Sequence, residues 1–149
     1  MVQRVSAILL AAVLATALIG CNAASPAVDV TGVHVLDQTE QGGRVVLQLE
    51  MINPNNYPLP MPTANYTVEI EGAGKFEFKG VIPLAAMPTQ SPQVLEFPAA
   101  FSTTAPLTGR SYTAHGSIKY RPPGELRNFL TESGFPLPDV DFNTSGVVE

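Results

Sequence analysis

Cys21 is the single cysteine of this 149-residue chain, and the residues before it favour one particular chemistry. A thiolate is a strong side-chain nucleophile. Here the sulfur follows Gly20, whose missing side chain leaves the backbone open to a peptidase. Leu18 and Ile19 complete an aliphatic, tolerant, small, cysteine order. A nucleophile there, beside an accessible backbone bond, suits covalent modification of the Cys21 sulfur together with cleavage before Cys21.

Other reactive residues are sparse. His34 and His115 are the only histidines, and a metal site would have to combine them with Asp37 or Asp139. The close His or Cys spacing of a zinc site is absent, so both are expected simply to occupy strands, with no metal bound. No Gly-x-Ser-x-Gly, Gly-x-Gly-x-x-Gly or P-loop occurs. Glu69 and Glu71 are two apart on a strand and share its solvent face. They read as solubilising rather than as a general acid and base. Asp139 and Asp141 read the same way, with an opening for a cation near one end of the domain. Asn65-Tyr66-Thr67 and Asn143-Thr144-Ser145 match glycosylation sequons by coincidence if the chain is bacterial. The expectation is a non-enzymatic protein with no cofactor.

The N-terminus supplies context for Cys21. Met1 to Arg4 is a short basic start, and an apolar run from Val5 to Ile19 follows. A run of about 15 residues falls short of the about 20 that span a bilayer, and it suits a secretory signal peptide. With Leu18-Ile19-Gly20-Cys21 after it, the segment resembles a bacterial lipobox, which implies a diacylglycerol thioether on Cys21, cleavage before it and acylation of the new amino group. The alternatives are an ordinary signal peptide cut after Ala23 or Ala24, or an uncleaved anchor. The expected organisation is a signal peptide over 1–20, acylated Cys21 with a tether over 21–27, and one domain over 28–149. Each buried methylene contributes about 0.8 kcal/mol, so two or three acyl chains hold a protein firmly to a membrane. Asn22 is not the aspartate of inner-membrane retention. This favours the outer membrane facing the periplasm in a didermal cell, or otherwise the outer face of the plasma membrane.

Composition narrows the partners. Loss of residues 1–20 removes only Arg4, leaving 7 basic and 13 acidic residues and a formal charge of −6. Nucleic-acid binding needs clustered Lys and Arg, so it is excluded, as is a polybasic contact with anionic lipid. With one cysteine there is no internal disulfide, and an exported domain must rely on its core. The tether Asn22 to Ala27 reaches at most about 20 Å, so the domain should ride close to the membrane.

From Val28 onward the hydrophobic period is two. Expected strands are Val28 to Leu36 with a bulge at Gly32, Val45 to Met51, Tyr66 to Glu71, Phe76 to Lys79, Gln93 to Phe101, Tyr112 to Arg121 and Val140 to Val148. Gly72-Ala73-Gly74 makes a hairpin of the third and fourth. Pro98 puts its strand at an edge or a bulge. Pro122-Pro123-Gly124 breaks the sixth strand, and Glu125 to Leu130 is the one candidate helix. About seven strands at regular spacing read as an all-β, immunoglobulin- or fibronectin-III-like antiparallel sandwich with one short helix.

Asn53-Pro54-Asn55, followed by Asn56, Tyr57, Pro58, Leu59 and Pro60, ends one strand and aims the next. It resembles the Asn-Pro-Asn segment of the late embryogenesis abundant group 2 family, also called the WHy domain. The resemblance continues in order through Asn65 to Glu71, Gly80 to Pro83, Gln93 to Pro98, Tyr112 to Ile118 and Phe142 to Val148. One departure from it is the acidic, proline-rich segment Phe135 to Asp141. The resemblance implies a sandwich fold, no catalytic residues, and a role in desiccation, cold or other stress by protecting other proteins. Client or envelope proteins are then expected partners, besides the membrane reached through lipid on Cys21. Two rival roles are a docking module of an envelope complex and a carrier of an apolar ligand between the sheets. Pro58 to Pro62 and Leu84 to Pro92 are the candidate apolar loops, expected to close one end of the sandwich rather than to bind.

Overall fold

A computed structural model describes residues 24–82 and 86–149. Cys21 and the lipobox residues Leu18, Ile19 and Gly20 lie outside the described residues. Among the described residues seven strands and one helix follow one another: β1 (Ala27–Thr39), β2 (Gly42–Ile52), β3 (Thr63–Ile70), β4 (Gly74–Val81), β5 (Pro92–Phe101), β6 (Ser111–Lys119), α1 (Gly124–Glu132) and β7 (Asp139–Val147). They form two antiparallel sheets, β1-β2-β5 and β4-β3-β6-β7. In an immunoglobulin constant domain the fourth strand joins the first sheet; here it joins the second. The result is the expected all-β sandwich of the immunoglobulin and fibronectin III kind.

Period-two patterning produces the core directly. Val45, Leu47, Leu49 and Met51 on β2 face Tyr66, Val68 and Ile70 on β3 and Tyr112, Ala114 and Ile118 on β6, all buried. Each large side chain removed from water contributes about 1.5–3 kcal/mol. One expected outward residue, Val46, is also buried, because His34 and Pro98 lie directly across from it on β1 and β5. Pro98 sits on an edge strand in unbroken register with β2, where its missing N–H costs no ladder bond. The bulge expected at Gly32 is present, with the register stepping between Val30 and Gly32, and a second step lies between Val35 and Asp37.

Gly116 permits the close approach of β3 and β6. A Cβ there would lie 2.4 Å from the Asn65 carbonyl oxygen and 2.7 Å from the Phe142 ring. The helix is longer than the expected Glu125 to Leu130 and ends in a glycine turn. Gly134 has φ +69°, and the Phe135 N–H donates to the Leu130 carbonyl at 3.0 Å. This is a Schellman closure.

Candidate functional site

Two features stand out, one at an end of the sandwich and one at its side. The end is built on Asn53 and Asn55, the buried polar residues of the described chain. Asn53 follows the last residue of β2. Its Nδ2 donates to the Tyr57 carbonyl at 2.7 Å and to the Met87 carbonyl at 3.3 Å. Its Oδ1 accepts from the Asn55 N–H at 3.0 Å and from Asn55 Nδ2 at 2.9 Å. Its carbonyl accepts from the Gln90 N–H. Pro54 between them is exposed and has no N–H to satisfy. Both asparagines therefore spend their hydrogen-bonding capacity on backbone and on each other, which fits a structural part for the segment.

Asn55 also holds the N-terminal approach. Its Nδ2 donates to the Ala24 carbonyl at 2.8 Å, and its Oδ1 accepts from the Ala24 N–H at 2.9 Å and the Tyr57 hydroxyl at 3.0 Å. The Ser25 and Tyr120 hydroxyls lie 3.1 Å apart. Residues 24–27, expected as tether, are thus already tied to the domain, and Ala27 is the first residue of β1. The loops close this end as expected. Leu59, Met61 and Met87 are fully buried, and Leu59 and Met87 exchange two backbone hydrogen bonds.

The side feature is a cleft of about 650 Å³ between the edge strands β4 and β5. Its walls are Tyr66, Phe76, Phe78 and Phe97, and its rim carries Val81 and Val94. The Tyr66 ring stacks between Phe78, at 5.1 Å, and Phe97, at 4.9 Å. Its hydroxyl donates to the Pro98 carbonyl at 2.6 Å, crossing from one sheet to the other. Burial pushes the Tyr66 phenol up to about 12. Val81 is 76% and Val94 60% exposed, so the rim is apolar and uncovered among the described residues.

The sequence candidates for chemistry do not converge. His34 and Asp37 lie on β1, whereas His115 and Asp139 lie on β6 and β7 of the other sheet. His34 Nδ1 faces the Glu149 carboxylate at 3.4 Å. Asp37 is engaged by Arg44, whose guanidinium hydrogen bonds hold the carboxyl below the usual carboxylate range. Lys75 pairs with Glu77. Glu69, Glu71, Asp139 and Asp141 are exposed. A shallow dish over β4, β3, β6 and β7 contains Thr67, Glu77, His115, Ser117 and Asp141 beside Phe78 and Phe142. Among the described residues no group of three or more His, Cys, Asp or Glu could hold a metal ion. Nor is any helix long and apolar enough to cross a membrane.

The sequence put Phe76 and Phe78 in alternation with Glu77 and Lys79 on one strand but did not reveal the cleft. A signal was present: Tyr66, Phe76, Phe78 and Phe97 all occupy inward positions, but the place of β5 beside the β3–β4 hairpin is left open by a single sequence.

No protein-family model and no curated protein matches the chain. Solved structures do resemble it. A Bordetella pertussis protein described as ApaA superposes with a TM-score of 0.51 at 13% identity, covering 83% of this chain and 94% of its own. A protein from Archaeoglobus fulgidus superposes at 0.42 and 11% identity, covering 85% of this chain and 97% of its own. The first likeness supports the sandwich fold and carries nothing about activity.

Proposed function

We propose that this chain is a non-enzymatic binding protein of the cell envelope, lipid-anchored through Cys21 and belonging to the late embryogenesis abundant group 2 family. Its role is protective under water or cold stress, through contact with apolar surfaces that such stress exposes on other proteins. The observation that carries a binding role is the aromatic cleft with its uncovered apolar rim. Bare apolar surface on a folded domain is the usual mark of an interaction site. The family assignment rests on Asn53-Pro54-Asn55 and the order of the segments after it. The anchor rests on the lipobox resemblance and on the position of Cys21 directly before the domain.

A second reading, carriage of an apolar ligand, is favoured by the size of the cleft, which falls within the range of about 300–1,000 Å³ usual for small-molecule sites. Extraction of the protein from its native membrane separates the two. One equivalent of a single apolar compound in the mass spectrum would establish carriage. An empty cleft, with protection of a test enzyme against drying and freezing, would support the protective role. An empty cleft with no protection, and one stoichiometric crosslinked partner in cells, would replace both with a docking module.

A further inference from the structure

We propose that the Asn-Pro-Asn end of the sandwich faces the bilayer and that Phe129 and Phe135 sit in its interface; this rests on the reading of Cys21 as the lipid anchor. The argument begins with the clamp on Ala24. Asn55 holds both its N–H and its carbonyl, so the domain begins there rather than at Ala27. Three peptide units separate Cys21 from Ala24, a reach of at most about 11 Å. Acyl chains on Cys21 would therefore pull this end of the sandwich, and no other, against the membrane.

The strand registers define what shares that end. Ala27, Ile52 and Pro92 are level in one sheet. Thr63, Val81, Lys119 and Asp139 are level in the other. The excursion from β6 through α1 to β7 leaves from Lys119 and returns at Asp139, so it too lies there.

Exposed apolar side chains gather at the same end. Among the described residues the large exposed hydrophobics are Leu36, Ile52, Val81, Val94, Phe129, Phe135 and Val147. Ile52 and Val81 are terminal strand residues at this end and Val94 is close by, while Phe129 and Phe135 belong to the excursion. Only Leu36 and Val147 lie toward the opposite end. Phe129 and Phe135 are 57% and 59% exposed, with ring centroids 6.3 Å apart. The Schellman turn at Gly134 accounts for their contact. It does not account for two phenyl rings left more than half in water on a helix that, among the described residues, makes no extensive contact with any strand. A helix terminus with paired aromatics, lying beside an anchored chain, suits the headgroup and acyl boundary. Nearby exposed charges are of both signs, Arg121 and Arg127 against Glu132 and Asp139. Apolar insertion, rather than attraction to anionic headgroups, then supplies the contact.

The chain contains no tryptophan, so single-tryptophan variants report position cleanly. Full acylated protein carrying Phe129→Trp, or Val147→Trp at the opposite end, would be placed in phosphatidylcholine vesicles with a spin-labelled lipid as quencher. The expected result is quenching severalfold stronger for Phe129→Trp than for Val147→Trp. Acylated protein that floats with the vesicles but shows equal quenching, or none at Phe129→Trp, overturns the orientation alone. A chain whose mass shows no acyl group on Cys21, or that does not float, fails the anchor reading and this inference with it.

Discussion

The two lateral edges of the sandwich are finished differently. Where β1 meets β7, the last residue of the chain stitches the sheets together. The Glu149 N–H donates to the Val33 carbonyl, and its own carbonyl accepts from the Val35 N–H. Val148 beside it is buried, with its N–H and carbonyl bonded to Arg110 and Gly109. Where β4 faces β5, no backbone bond crosses among the described residues. One tyrosine hydroxyl reaches from Tyr66 to the Pro98 carbonyl, and an aromatic-walled cleft remains. Two packed sheets are held mainly by the side chains between them, and here one edge adds backbone bonds from sheet to sheet. An edge left to side chains alone can keep an opening, provided large rings fill enough of the gap to hold the core.

The open edge makes the largest prediction. Tyr66 is part of the cleft wall and also of the core, so Tyr66→Ala should cost about 3–5 kcal/mol in urea unfolding. Tyr66→Phe keeps the rings and loses only the inter-sheet bond, about 1 kcal/mol. The same pair tests pH dependence. The folded phenol is raised from 10 to about 12, so its contribution is fully present below pH 10 and is lost as pH rises through 12. Alkaline unfolding curves of Tyr66→Phe should lack that decline. On the closed edge, removal of Val148 and Glu149 deletes four backbone bonds and one buried valine. This should cost about 2–4 kcal/mol and make the second edge bind an apolar dye. An unchanged unfolding midpoint would mean the terminal stitch is not what closes that edge.

The contrast between the edges was only partly legible in the sequence. The strands were, because inward positions such as Leu47, Leu49 and Val68 repeat at period two and need no partner to be recognised. The bulge at Gly32 was visible as a change of phase, and Pro98 announced an edge or a bulge, of which the structure has the edge. The structural burden on Asn53 and Asn55 followed from their types, but their hold on Ala24 did not, since it joins residues 31 apart. The cleft was hidden for a related reason. It depends on β5 pairing with β2 in the first sheet, across from the β3–β4 hairpin, and that pairing is non-local. Val46 shows the same limit: its phase is outward, and only its neighbours across the sheet bury it.

Smaller effects sharpen the comparison. Val81→Asp with Val94→Asp puts charge on the rim of the open edge, where both side chains already meet water. Stability should move by less than about 0.5 kcal/mol, as for most surface changes, while binding of an apolar dye to the cleft falls severalfold. If dye binding survives, the cleft is not the protein's principal apolar surface. The smallest expected effect lies near the closed edge. Arg44 lowers the Asp37 carboxyl, so the pair contributes above the ordinary carboxylate value of 3.8 and is lost as pH falls through the lowered one. Both groups are exposed, and solvent screens the interaction. Arg44→Ala should therefore leave the neutral-pH midpoint nearly unchanged and slightly reduce the loss of stability on acidification. Acid unfolding followed by circular dichroism would show it. A large shift at neutral pH would instead mean that Arg44 helps to hold β1 on β2, and that the closed edge depends on more than its terminal stitch.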